Sequence, residues 1–382
     1  MLHLASNPSL ESLFAASSAV GAIGPAGSHS NTKVLLAKPA GTKFKTKQIR
    51  QEEAMKMWFG KSLLFVAALV WADASAQQPA ANSVDGHMLA AQKAAGLEFP
   101  GLLSRLCVVP PNKENSPPPQ PPSATPRPAP DRANWYAPPV KVFDNLYWVG
   151  TMIHSSWALK TSDGIILIDT LYNYASEPEI VDGLRKLGLD PATVKYVIVS
   201  HGHGDHDEGA NLMQQRFHSH IIMAAPDWDA IEKANNMPGG TPKRDLVATD
   251  GERLTLGDTT VSIVLTPGHT LGTLGLLFQV KDHGKQLNVV YSGGTAFNNQ
   301  FDAERFRMYI ASERKLAKLA ADSGATVLLS NHSEFDDAYT KGRLLASRGP
   351  GEPNPFEVGR ESVARYFKTS DECAQAALLE YK

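Results

Sequence analysis

The stretch Ser200–Gly209 reads SHGHGDHDEG. His201, His203, Asp205 and His206 fall within six positions of one another, and glycines separate them. Neutral imidazoles together with a carboxylate are good ligands for Zn2+. Alternate positions His201 and His203 can point one way, while Asp205 and His206 turn toward a neighbouring point. Glycines at 202, 204 and 209 permit the tight backbone this requires. Two further histidines sit far downstream, His269 in Pro267–Thr270 (PGHT) and His332 after Thr326–Ser330 (TVLLS). The spacings are 269 − 206 = 63 and 332 − 269 = 63.

Strand ends are the elements that must bring these groups together. Tyr196–Ser200 (YVIVS) is a short apolar run of the kind that forms a buried strand, and it leads straight into His201. The run before Pro267 leads into His269, and Thr326–Ser330 leads into Asn331-His332. Residues distant in sequence but all at strand ends can converge on one sheet edge.

The rest of the pattern supplies the sheets. Val140–Gly150 alternates like two strands about Asp144-Asn145, and two apolar runs flank the hairpin signal Ser162-Asp163-Gly164. Ser176-x-x-Glu179 has the form of a capping box opening a helix, continued by Ile180, Leu184 and Leu187. Further strand pairs are expected around Gly257-Asp258 and His283-Gly284. Helices are expected at 208–217, 226–234, 302–322 and 360–379. Hairpins followed by alternating strands and helices predict an α/β (α+β) architecture of two sheets covered by helices.

His-x-His-x-Asp-His, a later Pro-Gly-His-Thr and a third downstream histidine resemble the metallo-β-lactamase superfamily, over roughly residues 135–382. Asp169 in IILIDT matches the family's strand-end aspartate, which braces the metal loop. The resemblance implies a four-layer αββα sandwich with two Zn2+ ions per chain between the sheets. It implies a first metal on His201, His203 and His269, and a second on Asp205, His206 and His332. Many superfamily members carry a metal-bridging aspartate at a strand end, where this chain reads Ser292-Gly293-Gly294. Its absence is similar to subclass three of the class B β-lactamases. Those enzymes usually carry a serine where Gly293-Gly294 stands, so the hydroxyl that helps hold a metal-bound water is missing. Ser292 or Thr295 is the candidate substitute.

The implied function is zinc-dependent hydrolysis. A zinc with three protein ligands keeps a place for water and lowers its pKa to about 7, giving hydroxide at neutral pH. That hydroxide attacks an amide, lactam or ester carbonyl, β-lactamase-like, with Asp205 orienting the nucleophile. The alternatives are hydrolysis of lactones or other esters with weak or no β-lactamase activity, and a non-hydrolytic metal-binding or iron oxidoreductase member. Di-iron relatives typically carry glutamate where His203 stands, which argues against the last. His154, Trp157 and Tyr172 are expected on loops rimming the substrate pocket. The His218/His220 pair and His283 are expected at the surface.

The chain has 382 residues, is 42% hydrophobic, and carries a net charge of −2. No basic stripe suggests nucleic acid, so the expected partner is a small-molecule substrate; nothing in the sequence sets an oligomeric state. Residues 1–54 read as an N-terminal extension without an apolar period. Residues 55–76 have the layout of a signal peptide: Lys56 and Lys61, an apolar run Ser62–Trp71, then Ala74-Ser75-Ala76. Cleavage there predicts a periplasmic or secreted protein with no stable membrane insertion. Residues 77–134 are expected to hold one short helix at 86–99, broken by Pro100-Gly101, and a linker in which eight of the fourteen residues Pro117–Pro130 are proline. The catalytic domain is expected over 135–382. Two cysteines, Cys107 and Cys373, are too few for a disulfide scaffold. In an exported protein they are expected to pair with each other.

Overall fold

The computed structural model describes residues 79–107, 129–298 and 301–381. The expected extension 1–54, the expected signal peptide 55–76 and most of the proline-rich linker lie outside them.

Seven strands form the first sheet in sequential order: β1 (Val140–Lys141), β2 (Leu146–Trp148), β3 (Trp157–Thr161), β4 (Gly164–Ile168), β5 (Val194–Ile198), β6 (His220–Ala224) and β7 (Leu246–Ala248). The second sheet runs β12-β11-β10-β9-β8, from β8 (Arg253–Leu256), β9 (Thr259–Leu265), β10 (Leu274–Asp282), β11 (Lys285–Ser292) and β12 (Val327–Ser330). Pairing is antiparallel along β1–β4 and parallel from β4 to β7; β8–β11 are antiparallel and β12 joins β11 in parallel. Each parallel pair needs a crossover. The helical run 173–186 supplies it between β4 and β5, helix Ala210–Phe217 between β5 and β6, helix Ala225–Ala234 between β6 and β7, and helix Ala303–Ser323 between β11 and β12.

The period-two alternation of the strands splits the core into layers. On β4, Ile166 and Ile168 face the interior between the sheets, whereas Ile165 and Leu167 face the helices on the outer side. On β11, Leu287, Val289 and Tyr291 point into the sandwich and Val290 points out to helices. Strands buried on both faces read as continuous apolar runs, which is why IILI carries no polar residue. The result is the αββα order expected.

Several local expectations need correction. Helix formation begins at Asn173, ahead of the supposed capping box, and Ser176–Val181 is π-wound. Ser176 Oγ donates to Thr170 O and Tyr172 O instead of capping, and Glu179 Oε1 is drawn inward to accept from Ala137 N. The N-terminal segment forms two helices, not one: Val84–Ala95 and Pro100–Leu106. Pro100 ends nothing by itself; it occupies the first turn of the second helix, where its missing N–H costs no hydrogen bond. Both helices pack on helix Arg360–Glu380 through Ala91, Phe99, Leu102, Leu106, Tyr366 and Phe367. Cys107 and Cys373 are joined as a disulfide, as expected. Among the described residues no helix is long and apolar enough to cross a membrane.

Candidate metal centre

Strands β4, β5, β11 and β12 finish at the same edge of the sandwich, and the loop after β9 joins them. Asp169 follows β4 in the left-handed region, φ 62°. That conformation is uncommon for a residue other than glycine, and the carboxylate's contacts account for it. Its Oδ1 accepts from Ser200 N at 2.6 Å; its Oδ2 accepts from Ser200 Oγ at 2.8 Å and Tyr291 OH at 2.7 Å. Oδ2 also lies 3.1 Å from His206 Nδ1. One buried aspartate thus fixes the start of the histidine loop and one ring within it.

The first donor set is His201, His203 and His269, whose ligand atoms lie within 4.8 Å of one another. His201 Nδ1 donates to Gly293 O at 2.7 Å and His269 Nδ1 to Ala296 O at 2.5 Å. Carbonyls only accept, so both Nε2 atoms carry lone pairs directed inward. His269 Nε2 stands 3.0 Å from His203 Nδ1, and His201 Nε2 is buried with no hydrogen-bond partner. An orphaned lone pair in that position is the signature of a place built for a cation. Burial, with the neighbouring His203 ring next in weight, pulls His269 down to about 3. Burial and the neighbouring rings likewise hold His201 well below its ordinary value. Both rings are therefore neutral, as ligands must be.

Beside it lies a triangle: His206 Nε2 to His332 Nε2 3.2 Å, His206 Nε2 to Asp205 Oδ2 3.2 Å, and His332 Nε2 to Asp205 Oδ2 3.1 Å. Bonds of 2.0–2.1 Å to a tetrahedral zinc place its donors about 3.3 Å apart. The residues present therefore fit a divalent cation of that size. Burial works against charge on His206, yet the carboxylates of Asp205 and Asp169 outweigh it and push the ring up to about 10. The field that would hold a proton there would equally hold a metal ion. Burial also disfavours the Asp205 carboxylate, but the rings of His206 and His332 outweigh it and keep Asp205 well below the usual carboxylate range.

Of the rim residues, Trp157 needs correction. It is fully buried on β3, in the core between the sheets, with Nε1 donating to Ser330 O at 3.1 Å. Truncating it would leave a core cavity worth about 3–5 kcal/mol. Tyr172 stands at the mouth, edge-on to His154 at 5.1 Å, its hydroxyl pushed up to about 12 by burial and then by Asp205. His154 turns inward, Nε2 3.6 Å from Asp205 Oδ2. His220 is paired with Asp245 at 2.9 Å, and His283 is exposed in its turn.

The two candidate substitutes for the missing serine face away from this role. Ser292 Oγ and Thr295 Oγ1 lie 3.1 Å apart, both buried, and Thr295 Oγ1 is 2.8 Å from Tyr366 OH. The glycines are sterically required. A Cβ on Gly293 would fall 2.1 Å from Leu274 O, and one on Gly294 would fall 2.6 Å from Thr273 Cγ2 and 2.9 Å from His269 Cβ.

Two supporting residues escape sequence reasoning. Asp227, in helix Ala225–Ala234, accepts from Gly202 N at 2.8 Å, Thr270 Oγ1 at 2.7 Å and Gly272 N at 3.1 Å. It ties the His201–His203 loop to the His269 loop. Asn331 Nδ2 donates to Gly293 O at 2.7 Å, bracing the carbonyl that orients His201. An acidic residue directly after a proline at a helix start was the one available signal for Asp227.

Comparison with known proteins agrees with this geometry. Residues 149–327 match the sequence profile of the Metallo-beta-lactamase superfamily. The chain is similar in structure to BJP-1, a subclass B3 metallo-beta-lactamase of Bradyrhizobium japonicum. The identity is 29%, the TM-score 0.52, and the match covers 61% of this chain and 91% of that one. It is 27% identical over 221 residues to a hydroxyacylglutathione hydrolase of Rhodopseudomonas palustris, covering 54% of this chain and 80% of the relative. It is also 27% identical over 176 residues to the N-acyl homoserine lactonase AttM of Azorhizobium caulinodans, covering 41% and 65%. With the αββα layers, the clustered histidines and these matches together, residues 149–327 form a domain of the metallo-β-lactamase superfamily, and the matches support a hydrolase of that kind.

Proposed function

We propose that this hydrolase is zinc-dependent and opens an amide carbonyl of the β-lactam type, with one cation on His201, His203 and His269 and a second on Asp205, His206 and His332. The observation that carries the reading is the triangle of 3.1–3.2 Å edges beside a set whose His201 Nε2 is orphaned. The absence of a carboxylate at Ser292-Gly293-Gly294 and the likeness to a subclass B3 enzyme support it.

Zinc, when bound in such a pair, supplies a nucleophile from water at neutral pH and a Lewis acid for the developing anion. The chain's residues do the rest. Asp205, ionised, accepts the O–H of the attacking water and aims its oxygen at the carbonyl carbon. The new C–O bond forms as the C–N bond breaks, and the water's proton finishes on the leaving nitrogen. His201 and His269 are locked as to tautomer by Gly293 O and Ala296 O, so their inward nitrogens carry lone pairs, while Asp169, 3.1 Å from His206 Nδ1, would leave the inward nitrogen of that ring to a bound cation.

A second reading, hydrolysis of lactones or other esters, is favoured by Gly293-Gly294. No serine stands there, and the Ser292 and Thr295 hydroxyls are engaged with each other and with Tyr366. An ester, with its better leaving group, needs less help than an amide. We further propose 135–382 as the catalytic unit and export with cleavage after Ala76, a compartment in which the Cys107–Cys373 bond persists. N-terminal sequencing of exported protein should begin at Gln77.

The test is metal analysis together with nitrocefin, lactone and thioester assays on the full chain and on the form beginning at Gln77. Two zinc equivalents and β-lactam turnover are expected. Turnover of esters alone selects the second reading. A His206→Ala variant that keeps its full metal content and full activity would show that the two-cation assignment is wrong.

A further inference from the structure

His154 does not behave as a pocket-rim residue. Its backbone bridges that of His332: Ser155 N donates to Asn331 O at 2.8 Å and Ser333 N to Ile153 O at 2.7 Å. Thr151 closes the loop from the other side, with Thr151 N donating to His154 O at 2.7 Å and His154 N to Thr151 Oγ1 at 2.8 Å. The Tyr172 ring meets the imidazole edge-on at 5.1 Å. The side chain is therefore held between two loops, 15% exposed, before any ligand arrives.

Its Nε2 is aimed at Asp205 Oδ2 but stops at 3.6 Å, beyond hydrogen-bond reach. Thr151 Oγ1 lies 3.5 Å from the other ring nitrogen. The donor atoms of His154, Asp205 and His332 lie within 4.8 Å of one another. Asp205 and His332 thus belong to two adjoining triangles, one completed by His206 and one by His154. A fixed, inward imidazole that approaches a carboxylate without bonding it has the arrangement of a metal donor.

We propose that His154 is a further protein donor to the second cation, alongside Asp205, His206 and His332. This rests on the two-cation reading above. It gives the second position four protein donors and leaves the first with three, so the open coordination place belongs to the His201/His203/His269 set. The second cation is then held chiefly by the protein and not by solvent.

The test compares wild type with His154→Gln. Stepwise Zn2+ affinities come from competition with a chromophoric chelator. Proton NMR of the Co2+-loaded protein counts the paramagnetically shifted, exchangeable imidazole N–H signals. Six are expected in wild type, five from the two sets already described plus His154. In the variant one signal should vanish, and affinity for the second equivalent should fall by more than about 100-fold, the upper end of what a residue merely supporting a ligand costs. Affinity for the first equivalent should hold. Five signals in wild type overturn the assignment even if the variant does not fold. Unchanged affinity, or reduced affinity with every signal retained, also overturns it, the latter making His154 a positioning residue for Asp205; in both cases the two-cation reading stands. A wild type that binds fewer than two equivalents removes the reading and this inference together.

Discussion

Asp169 Oδ2 lies 3.1 Å from His206 Nδ1 while accepting from Ser200 Oγ and Tyr291 OH. The same carboxylate sets the backbone of the histidine loop and the direction of one ring. Asp169→Asn keeps the shape but replaces an oxygen acceptor by an amide. We expect Zn2+ affinity at the second position to fall about 10–100-fold. Chelator competition measures it; equal affinities would remove Asp169 from the orientation of His206.

Asp227 makes a separate prediction, because it bridges Gly202 N, Thr270 Oγ1 and Gly272 N without touching a donor atom of the second set. Asp227→Ala should weaken the first Zn2+ equivalent by at least about 10-fold and leave the second nearly unchanged. A loss confined to the second equivalent would contradict the role given to this residue.

Gly294→Ser supplies the hydroxyl that the resemblance to subclass-three enzymes leads one to expect here, yet it is expected to harm the centre. The new Cβ would fall 2.9 Å from His269 Cβ and 2.6 Å from Thr273 Cγ2. His269 must shift, so metal content and nitrocefin turnover should both drop. A gain in turnover would mean the loop relaxes at little cost.

Glu313 gives a pH dependence that involves none of the candidate metal donors. It is wholly buried in helix Ala303–Ser323, and burial, then the Asp371 charge, pushes its carboxyl up to about 8. The folded state therefore binds a proton that the unfolded chain, near its ordinary value of 4.5, has released. This contribution is full below pH 4.5 and is lost as pH rises through about 8. Across that window it removes at most about 1.4 kcal/mol per pH unit. Urea midpoints of wild type should fall more steeply between pH 5 and 8 (about three pH units of that window) than those of Glu313→Gln. Parallel profiles would dismiss Glu313 as the source.

The bond between Cys107 and Cys373 spans 266 positions. In the chain-entropy description a loop of that length stabilises by roughly 5 kcal/mol. Reduction, or the Cys107→Ser/Cys373→Ser double variant, should lower the melting temperature by many degrees and loosen helices Val84–Ala95 and Pro100–Leu106. Hydrogen exchange in those helices measures it. Protection unchanged on reduction would show that packing on helix Arg360–Glu380 suffices.

The donor residues were legible because chemistry and pattern coincide: IILI and YVIV announce strands, and a histidine or aspartate directly after each has one direction in which to go. Trp157 was not legible. Beside Ser155-Ser156 it reads as loop, and only the register with Ile168 shows it inside. His154 was read as a rim residue for a related reason, since its position depends on a backbone bridge to a residue 178 positions away (332 − 154). The π-wound turn at Ser176–Val181 arises from tertiary bonds to Thr170 O and Ala137 N, which no local motif records. In sequence Glu313 is one more charge on an amphipathic helix, because burial of an acid leaves no mark on sequence spacing.

The wide separation of the two cysteines also bears on how the molecule is made. Cys107 leaves the ribosome long before Cys373 exists, so it travels as a lone thiol while nearly all of the two sheets are synthesised. With only two cysteines in the chain there is no wrong intramolecular choice. The hazard for an early-oxidised molecule is capture by another molecule, which would surface as covalent dimers.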